Sequence, residues 1–272
     1  MHRYSPKLSY RMLRTFMLWV NGLLPFLWPM RHLAGGFNFL RGPFLFFRDY
    51  FIFAGREQDS RFPLRFLDTY PCLFDRFDQA GIKPRHYFHQ DLWASRKVAA
   101  SRVGVHHDLG SRIDGFVAHC AVFCKVVVFD IRSLPPIDSN IQFQQADICD
   151  LKNVADGSIQ SLSSLHVFEH IGLGRYGDPI GSRLLNKAVS EVGRVLAPGG
   201  NLYFGVPIGA QRLEFNAQRV FSPLTVIDFF TDLELVEFSA VNDADDLISP
   251  ARPEDFLSAE YSCGLFHFRK RG

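Results

Sequence analysis

From residue 100 onward, short runs of β-branched and aromatic residues alternate with segments of helical periodicity, and that alternation leaves few folds open. Lys125-Val-Val-Val-Phe-Asp130 is apolar at consecutive positions, as a strand covered on both faces must be. Arg102-Val-Gly-Val-His-His-Asp-Leu109 reads as the strand before it, Ile141-Gln-Phe-Gln-Gln-Ala146 as a third, and Ile159 to Val167 as a fourth. Between the first two, Ile113, Phe116, Val117 and Cys120 keep near-helical spacing. Leu184, Leu185, Ala188, Val189, Val192, Val195 and Leu196 form one helical face. Pro198-Gly199-Gly200 stops that helix, and Asn201 to Val206 resumes as a strand. Leu224 to Phe230 looks helical, and Leu233 to Phe238 and Ser262 to Phe268 look like closing strands. The pattern predicts an α/β fold around a doubly wound, largely parallel sheet of about seven strands.

The first part of the chain is written differently. No acid occurs between Met1 and Arg48, while Arg3, Lys7, Arg11, Arg14, Arg31, Arg41 and Arg48 are basic. We read residues 1–60 as a basic, aromatic, helical extension and residues 61–272 as the α/β domain. Phe16 to Met30 is apolar but interrupted by Asn21, Pro25 and Pro29, and is shorter than the ~20 residues a spanning helix needs. It suits either a segment lying in a membrane interface, arginines toward anionic head groups, or an arm folded over the domain. A signal peptide is a third reading, without a clear cleavage site. With 47% hydrophobic residues the chain has material for a sizeable core, and a net charge of +2 excludes nucleic acid as the general partner. Five cysteines without a C-x-x-C pair fit a reducing compartment, so the expectation is cytoplasmic, at or near the membrane surface.

In a doubly wound sheet the loop after the first strand is the usual ligand cradle. Asp108-Leu-Gly-Ser-Arg-Ile-Asp-Gly115 stands there, with Gly110 and Gly115 able to turn the backbone or let a ligand approach, and Arg112 where a second glycine is common. Alone this is equally an ordinary strand-to-helix turn. Asp130, 20 residues after Gly110, ends the second strand, where a carboxylate can accept both hydroxyls of a ribose. Asp147 follows the third strand. Each acid is also a plausible loop cap, but three such positions at successive strand ends are harder to dismiss.

Asp108-Leu-Gly110, Val-Phe-Asp130, Ala-Asp147, His166-Val-Phe-Glu-His170 and Arg194-Val-Leu-Ala-Pro-Gly-Gly200 resemble the ordered motifs of class I S-adenosylmethionine-dependent methyltransferases. More closely, His86 to Trp93, Asp108 to Phe116, Ser163 to Asp178 and Asn201 to Pro207 resemble the methyltransferase-like family called domain of unknown function 268. The resemblance implies a Rossmann-like seven-stranded sheet whose last strand is antiparallel and wedged between the fifth and sixth. It implies S-adenosyl-L-methionine as cofactor, with its methionine end at the turn (Asp108, Gly110, Ser111, Arg112, Gly115), its ribose at Asp130 and its adenine near Asp147 and Ile148. His166 would border the same ligand. Arg112 departs from the pattern, and either reaches the cofactor carboxylate or pairs with Asp114.

His166-Val-Phe-Glu169-His170 also spells an inverted zinc-protease motif, but it stands at a strand end and not on a helix, so no metal is expected. The end of the fourth strand faces the methyl group in this architecture. His170 and His166, with Tyr176, are therefore the candidate catalytic residues, each histidine being equally readable as a structural tie. Arg175 and Asp178 in the glycine-rich loop Gly172 to Pro179, with Glu169 just before it, are candidates for holding the acceptor, Asp178 alternatively capping the next helix. His89 and Asp91 lie upstream, where an arm could close over the cofactor, and read more plainly as a surface turn. The expected activity is methyl transfer to an oxygen or nitrogen of a small molecule or glycan, or of a lipid-linked sugar. The rivals are a non-catalytic binding protein with a degenerate turn and a nicotinamide-dependent oxidoreductase, the latter disfavoured by the missing G-x-G-x-x-G.

Overall fold

The structure is a computed structural model that describes residues 38–56, 59–64, 72–73, 75–77 and 85–272. The segment Phe16 to Met30 lies outside the described residues. The chain divides into two units, residues 1–82 and 83–272.

In the first unit, helix α1 (Asn38–Ala54) contains Pro43 and leaves Phe44, Phe47, Phe51, Ile52 and Phe53 exposed. Asp49 on this helix accepts hydrogen bonds from Arg48 and Arg76. No helix of the described residues is long and apolar enough to cross a membrane.

The second unit opens with α2 (His86–Ser101), closed by Arg102 in the left-handed region at φ 54°. Strand β1 (Val105–Leu109) leads through a π-type turn (Ile113–Val117) into the short α3 (Ala118–Ala121). Then follow β2 (Lys125–Asp130), β3 (Ile141–Gln145), β4 (Ile159–Leu165), α4 (Leu184–Val195) and β5 (Leu196–Ile208). A small hairpin, β6 (Arg212–Glu214) and β7 (Gln218–Val220), precedes α5 (Pro223–Phe229). Strands β8 (Leu233–Val241), β9 (Leu247–Ile248) and β10 (Ser262–Lys270) complete the chain.

The main sheet has eight strands in the order β3-β2-β1-β4-β5-β10-β8-β9. The first five positions are parallel, and β10 runs antiparallel to both of its neighbours, β5 and β8. This is the expected Rossmann-like sheet with its final strand wedged antiparallel. The two-residue β9 adds an eighth strand that the seven-strand expectation lacked.

Burial explains why the sheet is doubly wound. On one face α2 and α3 place Trp93, Ala94, Val98 and Cys120 against Val126, Val128, Leu165, Tyr203 and Leu265. On the other, Leu185, Ala188, Val192 and Val195 of α4 and Val226 of α5 cover Phe129, Leu162, Phe204 and Phe266. The antiparallel end is layered with rings: Phe238 and Phe266 have centroids 4.8 Å apart, Phe230 and Phe268 5.2 Å, and Phe204 and Phe230 5.2 Å. Aromatic pairs at such spacings add about 0.5–1.5 kcal/mol each beyond the area they bury.

The largest difference from the sequence reading is α2. Its buried face includes Gln90, Asp91 and Ser95, and Asp91, expected on a surface turn, is 6% exposed. A polar inner face hides the hydrophobic period by which helices are recognised.

Candidate active site

Strands β1 and β2 are direct neighbours, with Leu109 opposite Phe129, so the turn after β1 and the acid ending β2 stand side by side. Gly110 turns at φ +71°, and a side chain there would meet Val167 at 3.2 Å and Asp130 Oδ2 at 3.9 Å. Only glycine keeps this space open without strain. Around it lies a cavity of about 510 Å³, within the range of cofactor sites. Its wall includes Gly110, Ser111, Arg112, Asp130, Asp147, Ile148, His166, His170, Tyr176 and Asp178.

Four further candidates, Asp108, Gly115, Glu169 and Arg175, are not part of that wall. Asp108 is fully buried beneath the turn. It accepts the Ser111 backbone N–H at 2.8 Å, the Ser111 hydroxyl at 2.6 Å and the Ser163 hydroxyl. Burial pushes its carboxyl up to about 6, against the pull of the serine donors. Ser163 also meets His106 Nε2 at 2.9 Å, and Ser161 meets His106 Nδ1 at 2.7 Å. Burial drives His106 down to about 3, so it is neutral and ties β1 to β4 as one buried polar seam. Gly115 is the site of close approach to α2: a Cβ there would stand 2.2 Å from Asp91 Oδ2.

Arg112 does not plug the hollow. Its guanidinium pairs with Asp114, at 2.7 Å from Nη2 to Oδ2, and lies over the Tyr87 ring at 5.0 Å. The residue the sequence reading missed is Arg132. It bonds Asp130 through its backbone N–H (2.9 Å), Nε (3.0 Å) and Nη2 (2.7 Å), and packs over Tyr176 at 4.7 Å. Its only signal is its place two residues beyond Asp130. Asp147 Oδ1 accepts the Cys149 N–H at 2.8 Å.

At the end of β4, His166 adopts φ +56°, in the left-handed region that costs a non-glycine residue about 1 kcal/mol or more. Its Nδ1 lies 2.7 Å from Glu169 Oε1, and its Nε2 is buried with no hydrogen-bond partner. Burial works against charge on this ring, but the neighbouring Cys263 sulfur and the Glu169 carboxylate hold its pKa well above the usual histidine value. His170 differs. Its Nδ1 donates to the Ala217 carbonyl at 2.7 Å, which leaves Nε2 as the lone-pair nitrogen, 3.7 Å from Glu169 Oε1. Burial lowers its pKa despite Glu169, so at neutral pH this ring is an uncharged base.

The glycine-rich loop is organised by Asp178. Its Oδ2 accepts the Gly172 and Gly174 N–H groups at 2.9 and 3.3 Å, and its Oδ1 accepts that of Tyr176 at 3.1 Å. Helix α4 begins only at Leu184, so Asp178 caps the loop and not the helix. Arg175 donates to the Ala217 carbonyl at 2.9 Å and lies over Tyr176 at 5.2 Å, which sets the Tyr176 ring against His170. His89 and Asp91 both lie on α2.

Residues 141–253, less than half of the chain, match the family described as Caenorhabditis protein of unknown function, DUF268. No curated protein sequence matches. Among solved structures, the N-methyltransferase NodS of Bradyrhizobium japonicum WM9, in complex with S-adenosyl-L-homocysteine, superposes with a TM-score of 0.50. That match has 18% identity and covers 74% of this chain and 92% of that one. The [4+2]-cyclase SpnF superposes with the same TM-score, 0.50, at 12% identity, over 70% of this chain and 87% of its own. The chain has a methyltransferase-like fold.

Proposed function

We propose, starting from the premise of a methyltransferase-like fold, that this chain binds S-adenosyl-L-methionine and transfers its methyl group to an oxygen or nitrogen acceptor. The observation that carries the reading is a cavity at the carboxyl ends of the parallel strands, whose wall unites Gly110, Asp130, Asp147 and His170. Ligands of doubly wound sheets occupy this position.

The residues fit such a cofactor by their donors and acceptors. Asp130 offers a carboxylate to a ribose diol once Arg132 yields it, and Asp147 Oδ2 remains for an exocyclic amine, since Oδ1 is taken by Cys149. The open backbone at Gly110 admits the ligand's amino-acid end, with Arg112 at the rim. When bound, S-adenosylmethionine supplies an electrophilic methyl group and its own leaving group. What the protein adds is alignment and proton removal. His170, neutral and fixed in one tautomer by Ala217, takes the acceptor's proton at Nε2, and Tyr176 and the Asp178-held loop border the acceptor.

Calorimetric titration with S-adenosylhomocysteine tests the reading. Wild type should bind one equivalent, and Asp130→Ala should weaken binding roughly ten- to a hundredfold, the worth of one or two charge-assisted hydrogen bonds. The scaffold reading has support of its own, because Arg132 occupies Asp130 and Asp108 occupies the Ser111 amide. No heat from either adenosyl ligand would favour it.

The finer form of the proposal is a glycan or lipid-linked acceptor met at a membrane surface. Its support is the exposed Phe44, Phe51 and Phe53 of α1 and the acid-free first 48 residues. Flotation with anionic vesicles tests it. Phe44→Ser with Phe51→Ser should abolish co-migration, and failure of the wild-type chain to float refutes it.

A further inference from the structure

His166 sits at the end of β4, Cys263 at the start of β10 and His86 at the first position of α2, far apart in sequence. One ligand-capable atom from each of the three lies within 4.8 Å of the others. On a tetrahedral zinc with bonds of roughly 2.0–2.3 Å, neighbouring donor atoms stand roughly 3.3–3.8 Å apart, so small side-chain rotations suffice to close the set. We propose that His86, His166 and Cys263 form a binding site for a divalent transition metal of the zinc class.

Three features of the site point to a cation and not to a chance meeting of side chains. The first is the orphaned nitrogen. The His166 side chain is only 4% exposed, its Nδ1 is taken by Glu169, and its Nε2 has no partner, a costly state for a buried polar atom. The second is the support behind it. A metal-bound histidine almost always gives its other ring N–H to a carboxylate or carbonyl, and the His166 Nδ1 to Glu169 Oε1 bond at 2.7 Å supplies that arrangement. The third is the placing of the other two donors. The His86 ring lies parallel to that of His166, with centroids 5.9 Å apart and planes 6° from parallel, and it also stacks on Tyr261 at 5.4 Å. Cys263 is fully buried; its sulfur faces the His166 ring, and its other contacts are weak, at 4.0 Å to Gln90 Oε1 and 3.9 Å to the Gly264 carbonyl.

Two imidazoles and a thiolate suit zinc, with one position of the tetrahedron left for water or a solute group. Coordination needs a lone pair on each imidazole and a thiolate on Cys263, so binding releases the protons these groups carry. The ion joins α2, β4 and β10 at one point and fixes His166, whose left-handed backbone then has a reason to persist. The H-x-x-E-H motif thus contributes one ligand and its carboxylate support. Its second histidine, His170, is committed to Ala217 and stays out of the set. The site does not depend on the methyl-transfer reading, since neither His86 nor Cys263 borders the proposed cofactor cavity.

The test is metal binding by the full-length chain, prepared free of metal and then titrated with zinc, and separately with cobalt(II) as a spectroscopic probe. A Cys72→Ser background removes the exposed thiol. Wild type should take up one zinc and, with cobalt, show a thiolate-to-metal charge-transfer band in the near ultraviolet. Cys263→Ser should abolish that band, His86→Gln should weaken zinc binding at least tenfold, and Glu169→Gln should weaken it roughly ten- to a hundredfold. A natively folded wild-type chain that binds no zinc overturns the proposal. So does an undiminished cobalt band in Cys263→Ser, or full zinc affinity in His86→Gln. Should Cys263→Ser fail to fold, the wild-type cobalt spectrum and the half-buried His86 variant still decide.

Discussion

The two halves of the main sheet are built from opposite materials. On the antiparallel side, β10 and β8 bury Phe238, Phe266 and Phe268 with Phe204 of β5, so packed rings form the centre of one face. On the parallel side, β1 and β4 bury His106, Asp108, Ser161, Ser163 and Ser164 in the same sheet. The aromatic half supplies burial energy without fixing much at its strand ends. The polar half gives up some of that energy, and in return its directional bonds hold the ends of β1 and β4 in register beneath the Gly110 turn. The difference teaches that rigidity at the cavity comes from hydrogen bonds and stability from the far side of the fold.

Breaking the aromatic half should have the largest effect. Phe266→Ala should lose about 3–5 kcal/mol in denaturant unfolding, the usual cost of removing a fully buried ring. Ligand binding by the folded fraction should stay near wild type. A loss below about 1 kcal/mol would show that the two halves share the load more evenly than the packing implies.

The polar half can be read through pH. Asp108 is held up to about 6 by burial, against a free value of 3.8. Between those values the native state holds a proton that the unfolded chain has released. The stabilisation from this group is therefore complete below the unfolded value, falls as pH rises through about 6, and then levels off. At about 1.4 kcal/mol per pH unit the fall amounts to at most about 3 kcal/mol. Asp108→Asn should remove that slope from a plot of unfolding free energy against pH. An unchanged slope would place the titration elsewhere.

Arg112→Ala should have the smallest effect. The ion pair with Asp114 is exposed on both sides, and such pairs contribute up to about 1 kcal/mol. Unfolding should shift by less than that, and adenosyl-ligand affinity by no more than roughly fivefold. A far larger loss of affinity would mean that the guanidinium leaves Asp114 to hold the ligand.

Much of this was legible because burial on both faces makes parallel strands into unbroken apolar words. Lys125 to Asp130 is one, and its helical partner from Leu184 is another. Gly110, Asp130 and Asp147 could be placed at one edge because each closes a readable strand. The hidden parts share a different cause. Helix α2 turns Gln90, Asp91 and Ser95 inward, so its buried face lacks the apolar rhythm. The pairing of Arg132 with Asp130 and the meeting of His86, His166 and Cys263 are made by side-chain direction and by folding across the chain, which spacing does not encode. Asp108 bonds to the turn from below, and Gly115 stands where α2 comes close, contacts that spacing along the chain does not show.

The claim on which the rest depends is that the hollow between the Gly110 turn and Asp130 receives an adenosyl ligand. A crystal structure of the chain grown with S-adenosylhomocysteine tests it most directly. The account predicts density for the ligand in this cavity, ribose hydroxyls on the Asp130 carboxylate, and the Arg132 guanidinium moved off it. A ligand bound elsewhere, or a cavity in which Arg132 still closes Asp130 at saturating ligand, would contradict it.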